Sequence, residues 1–236
     1  MDGFSLVDIY STKGIEYLVA VVFFFGFLGL QYYLLRPEPR RANAPAPNPG
    51  GMGRFRVPDG YSFHQGHSWM KVEPAGSGRQ GLARIGLDDF AQKLVGKVDS
   101  VDLPPVGSRL AQGDKGWSLV VDSVPVAMLS PVDGEVVAVN PEVLRSPAIL
   151  NRDPYGEGWL MKVKSDRVSA DVRNLLSGKV ARVWMENALE NLYPAHEEAL
   201  GPVMQDGGVP IEGIAKALGG NRWEHLARTH LLTDEA

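Results

Sequence analysis

Cysteine is absent from the 236 residues of this chain. Disulfides, thiolate nucleophiles, iron–sulfur ligation and cysteine-based zinc sites are therefore excluded together. An excess of basic charge is also missing, because 24 basic residues face 28 acidic ones and the formal net charge is −4. The chain thus lacks the electrostatic footprint of a nucleic-acid-binding protein.

Metal-binding and catalytic motifs are equally sparse. His64 and His67 lie close together but have no acidic residue at ligand spacing, and His196 lacks the second histidine of a zinc-protease helix. We interpret Asp88 and Asp89 as the solvated start of a helix, where acidic side chains suit the helix dipole. The sequence therefore predicts no metal site, no catalytic residue and no enzymatic activity.

The most prominent feature that is present is an apolar run from Tyr17 to Leu35, interrupted by Gln31. A helix of about 20 residues crosses a bilayer core of roughly 30 Å, and the tyrosines at both ends suit the membrane interfaces. We predict one transmembrane helix here. The alternative is a cleaved signal peptide, suggested by Ala42 and Ala44, but the run is long and the segment before it is acidic.

The orientation of this helix follows from its flanks. Lys13 is the basic residue before it, whereas Arg36, Arg40 and Arg41 follow it closely. Basic flanks are retained on the cytoplasmic side. We therefore predict a single-pass protein of the cytoplasmic (inner) membrane, with its N-terminus outside and its large domain in the cytoplasm. The proline-rich residues 36–54 are predicted to be a semi-rigid linker.

Beyond the linker the sequence changes from a β pattern to a helical one. Residues 55–164 contain short apolar runs separated by turn residues, which is typical of a small β-sandwich or barrel. One helix is predicted at 87–96, and Asp153 is interpreted as shaping a turn. Residues 165–193 have helical spacing, and Gly178 divides them into two helices.

The C-terminal residues 194–236 form an extension that carries many large apolar side chains, too many for a solvated tail. Two short helices are predicted, and helices of this length need a surface to pack on. We expect that surface to belong to another subunit, and packing on the parent domain is the alternative. The candidate partner contacts are Ile211, Ile214, Trp223 and Leu226.

Six motifs between residues 55 and 193 follow one another in the order of a known family. They are His67-Ser68-Trp69, residues 85–92, residues 102–107, residues 130–136, residues 151–160 and Leu175-Leu176-Ser177. The fifth, NRDPYGEGWL, is long and specific. Together they resemble the glycine cleavage system H protein family. The resemblance implies a mainly β fold, the barrel-sandwich hybrid of lipoyl and biotinyl carriers, with flanking C-terminal helices.

The resemblance fails at the residue that would carry the family's cofactor. The family presents Glu-Ser-Val-Lys at a hairpin tip and joins lipoate to that lysine, whereas residues 122–125 here read Asp-Ser-Val-Pro. Pro125 has no primary amine, and no lysine lies between Lys115 and Lys162. We therefore predict that the chain carries no lipoyl group and no other cofactor.

Two apolar residues follow the altered tip. Met128 and Leu129 are interpreted either as an apolar edge that contacts a partner or as ordinary hairpin and core residues. Both readings are open at this point, and Met128 and Leu129 join the candidate partner contacts.

Three functions are compatible with these features. The first is a non-catalytic interaction subunit that docks or stabilises subunits of a membrane complex, with a respiratory or other electron-transfer assembly as the class favoured by analogy. The second is a membrane tether for a glycine cleavage or lipoyl-dependent enzyme system. The third is an adaptor of an efflux or secretion pump, although the long coiled-coil hairpin of such adaptors is lacking. The expected partners are membrane lipid and other protein subunits, without nucleic acid or a small-molecule substrate.

Overall fold

The structure is a computed structural model. It describes residues 6–34, 55–73, 81–192, 204–205 and 209–234. The chain divides into two compact units, Met1–Pro47 and Asn48–Ala236. The linker that the sequence predicts at 36–54 lies outside the described residues.

The first unit contains one helix, α1 (Leu6–Leu34). The side chains that the structure describes in it, those of residues 17–31, are all exposed. Among the described residues, no helix has both the length and the apolar content required to cross a membrane.

The second unit is built mainly from β-strands. Its larger sheet has the strand order β10-β1-β2-β3-β9-β8-β5, and neighbouring strands run antiparallel. The strands are β1 (Ser62–Phe63), β2 (Ser68–Glu73), β3 (Gly81–Leu87), β5 (Arg109–Leu110), β8 (Gly134–Val139), β9 (Met161–Ser165) and β10 (Leu176–Ser177). The β pattern of the sequence is confirmed here.

A smaller sheet has the order β4-β6-β7, with β4 (Ser100–Asp102), β6 (Lys115–Val121) and β7 (Val124–Leu129). Asp122 and Ser123 form the two-residue turn of the β6–β7 hairpin with φ angles of 49° and 67°. Two successive positive φ angles are the signature of a turn that matches the twist of a hairpin. A third sheet consists of β11 (Met204–Gln205) and β12 (Val209–Pro210).

The helices of this unit are α2 (Asp89–Val95), α3 (Pro141–Arg145), α4 (Ile149–Arg152), α5 (Val168–Arg173), α6 (Gly178–Glu190), α7 (Ile214–Gly219) and α8 (Trp223–His230). The helix predicted at 87–96 is present, and two short helices that the sequence did not predict, α3 and α4, follow β8. Gly96 ends α2 with a φ of 76°, a conformation that suits glycine. Asp153 shapes the turn as expected, because its carboxylate accepts hydrogen bonds from the backbone N–H groups of Gly156 and Glu157.

One hydrophobic core joins the two larger sheets. Alternate residues of β6 and β7, such as Leu119, Val126 and Met128, are buried with Trp69 and Ile85 of the larger sheet. This alternation is the period-two pattern of a strand with one face on a core. Met128 and Leu129 are thus core residues, and the interpretation of them as an exposed partner edge is wrong.

The C-terminal extension packs on its own domain. Ile214 and Leu231 are fully buried and belong to the domain core, while Ile211, Trp223 and Leu226 are half-buried against it. Of the four candidate partner contacts, Ile214 is therefore not exposed for another subunit in this chain, whereas Ile211, Trp223 and Leu226 keep part of their surface exposed. The alternative holds, because the domain itself offers the apolar surface that two short helices require.

Candidate functional site

The candidate site is the β6–β7 hairpin. It contains residues 122–125, which the resemblance aligns with the lipoyl-lysine motif of the family. Pro125 lies opposite Val120 in β7, which is an outer strand of its three-stranded sheet. Proline is tolerated in an edge strand because its missing N–H leaves no hydrogen bond within the sheet unmade. The strand also offers unpaired backbone groups, such as the Pro125 carbonyl, on its outer side.

The C-terminal extension covers this hairpin. Lys216 Nζ lies 2.6 Å from Asp122 Oδ2 at the turn, and Arg228 Nη2 donates to the Pro125 carbonyl oxygen at 3.3 Å. Farther along, a Cβ built on Gly66 would lie 3.0 Å from the Leu231 carbonyl oxygen and 3.2 Å from Leu129 Cδ1. The extension therefore follows the hairpin from its turn to the base of β7.

A second anchor joins the extension to helix α2. The Gly213 N–H donates to the Lys93 carbonyl oxygen at 2.8 Å, and Lys93 Nζ lies 3.8 Å from Glu212 Oε1. Gly96 permits this approach, since an added Cβ would meet the Gly213 backbone at 2.8 Å. Residues 211–234 are called the strap below, and they contact the domain at the hairpin, at α2 and at Gly66.

A buried histidine lies beside the strap. His67 Nδ1 is 2.9 Å from Asp88 Oδ2, and both residues are buried. The other oxygen of Asp88 accepts from the Ala91 N–H at 2.8 Å and so caps α2. The prediction of a solvated Asp88 and Asp89 is wrong, because the carboxylate of Asp89 also turns inward and accepts from the Arg56 N–H.

The ring of His67 is clamped between two aromatic rings. The ring centroids of Phe90 and Trp184 lie 4.1 Å and 4.5 Å away, and both rings are stacked on the imidazole. His67 has a φ of 60°, and such strain persists only where the surroundings enforce it. His67 also lines a solvent-open pocket of about 190 Å³ between the domain and the strap. Its lining comprises Gln65, His67, Trp184, Ala188, Asn191, Thr229, His230 and Leu232.

Titration of the strap histidine is coupled to this cluster. Burial, and then the proximity of His67, lower the pKa of His230 to about 4, although Asp234 opposes the shift. Burial and His67 also lower the pKa of His64. An imidazole with a lower pKa in the folded chain than in the unfolded chain favours folding at neutral pH. That contribution is lost as the pH falls from about 6.5 toward 4.

A pH series should reveal this coupling. We expect the thermal midpoint of the full chain in mild detergent to fall between pH 6.5 and 4.5, and a His230→Gln variant to fall a few degrees less because its glutamine takes up no proton. Circular dichroism measures both. His225→Gln is the matched control, since His225 lies on the same helix and is exposed. If the two variants respond alike, His230 does not contribute to the pH dependence.

The comparisons with known proteins point to one family. A model of the glycine cleavage H-protein family matches residues 61–188. A glycine cleavage system H protein from Carboxydothermus hydrogenoformans is 42% identical over 123 residues, which cover 51% of this chain and 88% of the relative. One from Aeromonas salmonicida is 38% identical over 125 residues, with 52% and 91% covered.

One solved structure also matches part of the chain. The crystal structure of a glycine cleavage system H protein from Mycobacterium marinum is 28% identical and has a TM-score of 0.46, covering 57% of this chain and 98% of that chain. The family match stops at residue 188, so the strap at 211–234 lies outside it. The matched segment contains both sheets and the hairpin, and the chain belongs to the glycine cleavage H-protein family.

Proposed function

We propose that this protein is a non-catalytic, membrane-anchored interaction subunit built on an H-protein-like domain that carries no lipoate. In this role it docks or stabilises subunits of a membrane complex, with a respiratory or other electron-transfer complex as the class favoured by analogy. The observation that carries the proposal is Pro125 in the β6–β7 hairpin, where the family resemblance places the lipoyl lysine.

The chemistry of the hairpin supports the absence of a swinging arm. An amide with lipoate requires a primary amine, and no lysine lies between Lys115 and Lys162. The strap does bring an amine to the turn, but Lys216 Nζ is held in an ion pair with Asp122 at 2.6 Å. A carrier arm also needs an exposed, mobile tip, whereas Pro125 stiffens the strand and Arg228 binds its carbonyl oxygen.

Intact-mass measurement tests this part of the proposal. We expect the full chain, produced together with an active lipoyl ligase, to show the mass of the unmodified polypeptide. A lipoylated H protein with the lysine in place, produced in the same cells, is the positive control. A mass increase that matches a lipoyl adduct on this chain would refute the proposal, whichever lysine carried it.

Membrane anchoring rests on the first unit. The structure forms a continuous helix from Leu6 to Leu34, about 43 Å long at 1.5 Å per residue. Its described side chains include large exposed apolar ones, among them Phe23, Phe25 and Phe27. Water is a poor solvent for such a surface. The apolar run of the sequence extends beyond these described side chains, from Tyr17 to Leu35.

Fractionation of cells tests the anchor. We expect the full chain to stay with the membranes through an alkaline carbonate wash and a variant without residues 1–35 to appear in the soluble fraction, because the deletion removes the apolar helix. A reporter enzyme that is active only outside the cytoplasm, fused after Ala236, should stay inactive. Release of the full chain by carbonate would contradict anchoring, and an active reporter would reverse the orientation.

Family membership favours one second candidate, a membrane tether for a glycine cleavage or related lipoyl-dependent system. Purification from mild detergent and identification of the co-eluting subunits distinguishes the two roles. Subunits of an electron-transfer complex support the first, and glycine cleavage enzymes support the second. A pump adaptor has less support, because the sequence lacks the long coiled-coil hairpin of such adaptors and the family match is to the glycine cleavage H protein.

A further inference from the structure

The strap occupies a groove with three walls. Helix α2, the loop of residues 64–67 and strand β7 form the walls, as the contacts of Gly213, Leu231 and Arg228 show. The strap fills the groove with small and medium apolar side chains that are all fully buried. They are Ile214, Ala215, Ala227 and Leu231. Ile214 and Ala215 lie on α7, Ala227 lies on α8 and Leu231 follows α8, so each of the two short helices turns an apolar side toward the groove, as amphipathic helices in grooves do.

One wall of the groove is an open sheet edge. Strand β7 has β6 on one side and no strand on the other among the described residues. An uncovered edge is a ready template for pairing with other chains, and proteins cover such edges with helices or loops. Helix α8 does so here, with Arg228 bound to the Pro125 carbonyl oxygen. Without the strap the groove would present an apolar floor and free backbone acceptors.

The charge at the turn selects what can bind there. Asp122 accepts the amine of Lys216, and the nearby Asp99 carboxylate accepts from the Asp122 N–H at 2.8 Å. Two carboxylates and an exposed carbonyl oxygen at one end of the groove favour a cationic ligand. The strap meets this requirement with Lys216 on α7 and Arg228 on α8.

Outside its four fully buried side chains, the strap is held by weak contacts. Helices α7 and α8 have 6 and 8 residues, and helices this short are not stable alone. Its ion pairs are partly exposed, and such pairs contribute little. A solvent-open pocket of about 190 Å³ also lies between His67 and His230 at the junction with the domain, so the strap is not packed against the domain at this point.

We propose that the groove is a docking surface for a basic amphipathic helix of a partner protein, and that the strap fills it in cis until such a helix displaces it. The inference names a surface and a partner chemistry for the interaction role proposed above, on which it rests. It requires neither the membrane anchor nor the missing lipoyl group. If no helix binds in the groove, the co-purification experiment can still identify the partner subunits.

Exchange of the strap tests the proposal directly. A specific protease site is inserted into the full chain after Pro194, and the protein is cleaved in mild detergent. The probe is a fluorescent synthetic peptide of residues 209–236. We expect the cleaved protein to take up the peptide in a saturable manner, and the uncleaved protein to take up much less, because the tethered strap competes at a high effective concentration.

Two altered peptides serve as controls. With Lys216→Glu and Arg228→Glu together, binding should be roughly three- to tenfold weaker, as expected for two partly exposed charge contacts. With Leu231→Asp, binding should be lost, because Leu231 is fully buried. Failure of the wild-type peptide to exchange within a day, or equal uptake of the charge-reversed peptide, overturns the proposal. Unfolding of the domain on cleavage also overturns it, since the strap would then be part of the core.

The absence of cysteine provides a second test. Ala227 on the strap and Ala83 on β3 are both fully buried, so each can be replaced by a single cysteine in the full chain. If the strap opens by itself, the thiol in Ala227→Cys should react with a maleimide at least about tenfold faster than that in Ala83→Cys. Equal rates would show that the strap opens only with the whole domain and would refute its displacement.

Discussion

Replacing Trp69 with alanine is expected to lower the free energy of unfolding of the domain by about 3–5 kcal/mol. Trp69 is fully buried, and its indole N–H donates to the carbonyl oxygens of Leu87 at 2.8 Å and Pro154 at 3.2 Å. Gly86, directly opposite on β3, makes room for the ring, because a Cβ there would lie 2.6 Å from Trp69 Cζ2. The alanine variant leaves a cavity and two buried carbonyl groups without their donor.

Denaturant titration of the full chain in mild detergent, followed by circular dichroism, measures this loss. Trp159→Ala is the matched control. Trp159 is half-buried and contacts the cations of Arg84 and Lys162 rather than the centre of the core, so we expect a loss of about 1–2 kcal/mol. Trp69→Phe should fall between the two, since it keeps most of the ring. Equal losses for the two alanine variants would contradict the central role of Trp69.

The features that sequence reasoning predicted are those set by adjacent residues. Gly96 ends α2 and Asp153 shapes its turn because each acts on backbone groups within four residues. Two helices, α5 and α6, are also present as predicted, although residues 174–177 separate them and Gly178, with a φ of 55°, is the first residue of α6. The alternation of Val126 and Met128 in β7 was also present in the sequence. Read with a period of two, it places both side chains on the core face.

The His67–Asp88 pair shows what sequence spacing misses. The two residues are 21 positions apart, so a search for acidic partners at ligand spacing passes over them. They meet because Ser68 pairs with Leu87 across β2 and β3. The sequence shows the motifs around His67 and Asp88 separately. It does not show the register between strands β2 and β3, which brings the two side chains together. That register depends on the whole sheet and its turns.

The strap illustrates a second limit. Its apolar pattern predicts that the helices pack on some surface, and the structure agrees. The surface that the helices contact is a groove assembled from separate parts of the chain. Asp122, Pro125 and Gly66 contribute to it. The apolar pattern of the strap is the same whether it packs on its own domain or on a partner protein. Only the folded structure distinguishes these two possibilities.

Replacing Leu231 with aspartate is expected to release the strap while the rest of the domain stays folded. Leu231 is fully buried, and its carbonyl oxygen would lie 3.0 Å from a Cβ built on Gly66. Burying a carboxylate there without a partner costs several kcal/mol. The strap gains only about 1.5–3 kcal/mol from each large apolar side chain that it buries, and Ile214 is the other fully buried one. Undocking therefore costs less than keeping the charge inside.

Hydrogen exchange of the full chain, followed by mass spectrometry, distinguishes local release from global unfolding. We expect amides in residues 211–234 to lose protection while those of β2, β3 and β9 keep it. Leu232→Asp is the matched control, because Leu232 is 51% exposed and its positive φ of 58° is one that aspartate tolerates. Loss of protection in β3 and β9 would make the strap an integral part of the core. Protection of the strap in Leu231→Asp would mean that the groove accepts a carboxylate at this buried position, and it would contradict the prediction.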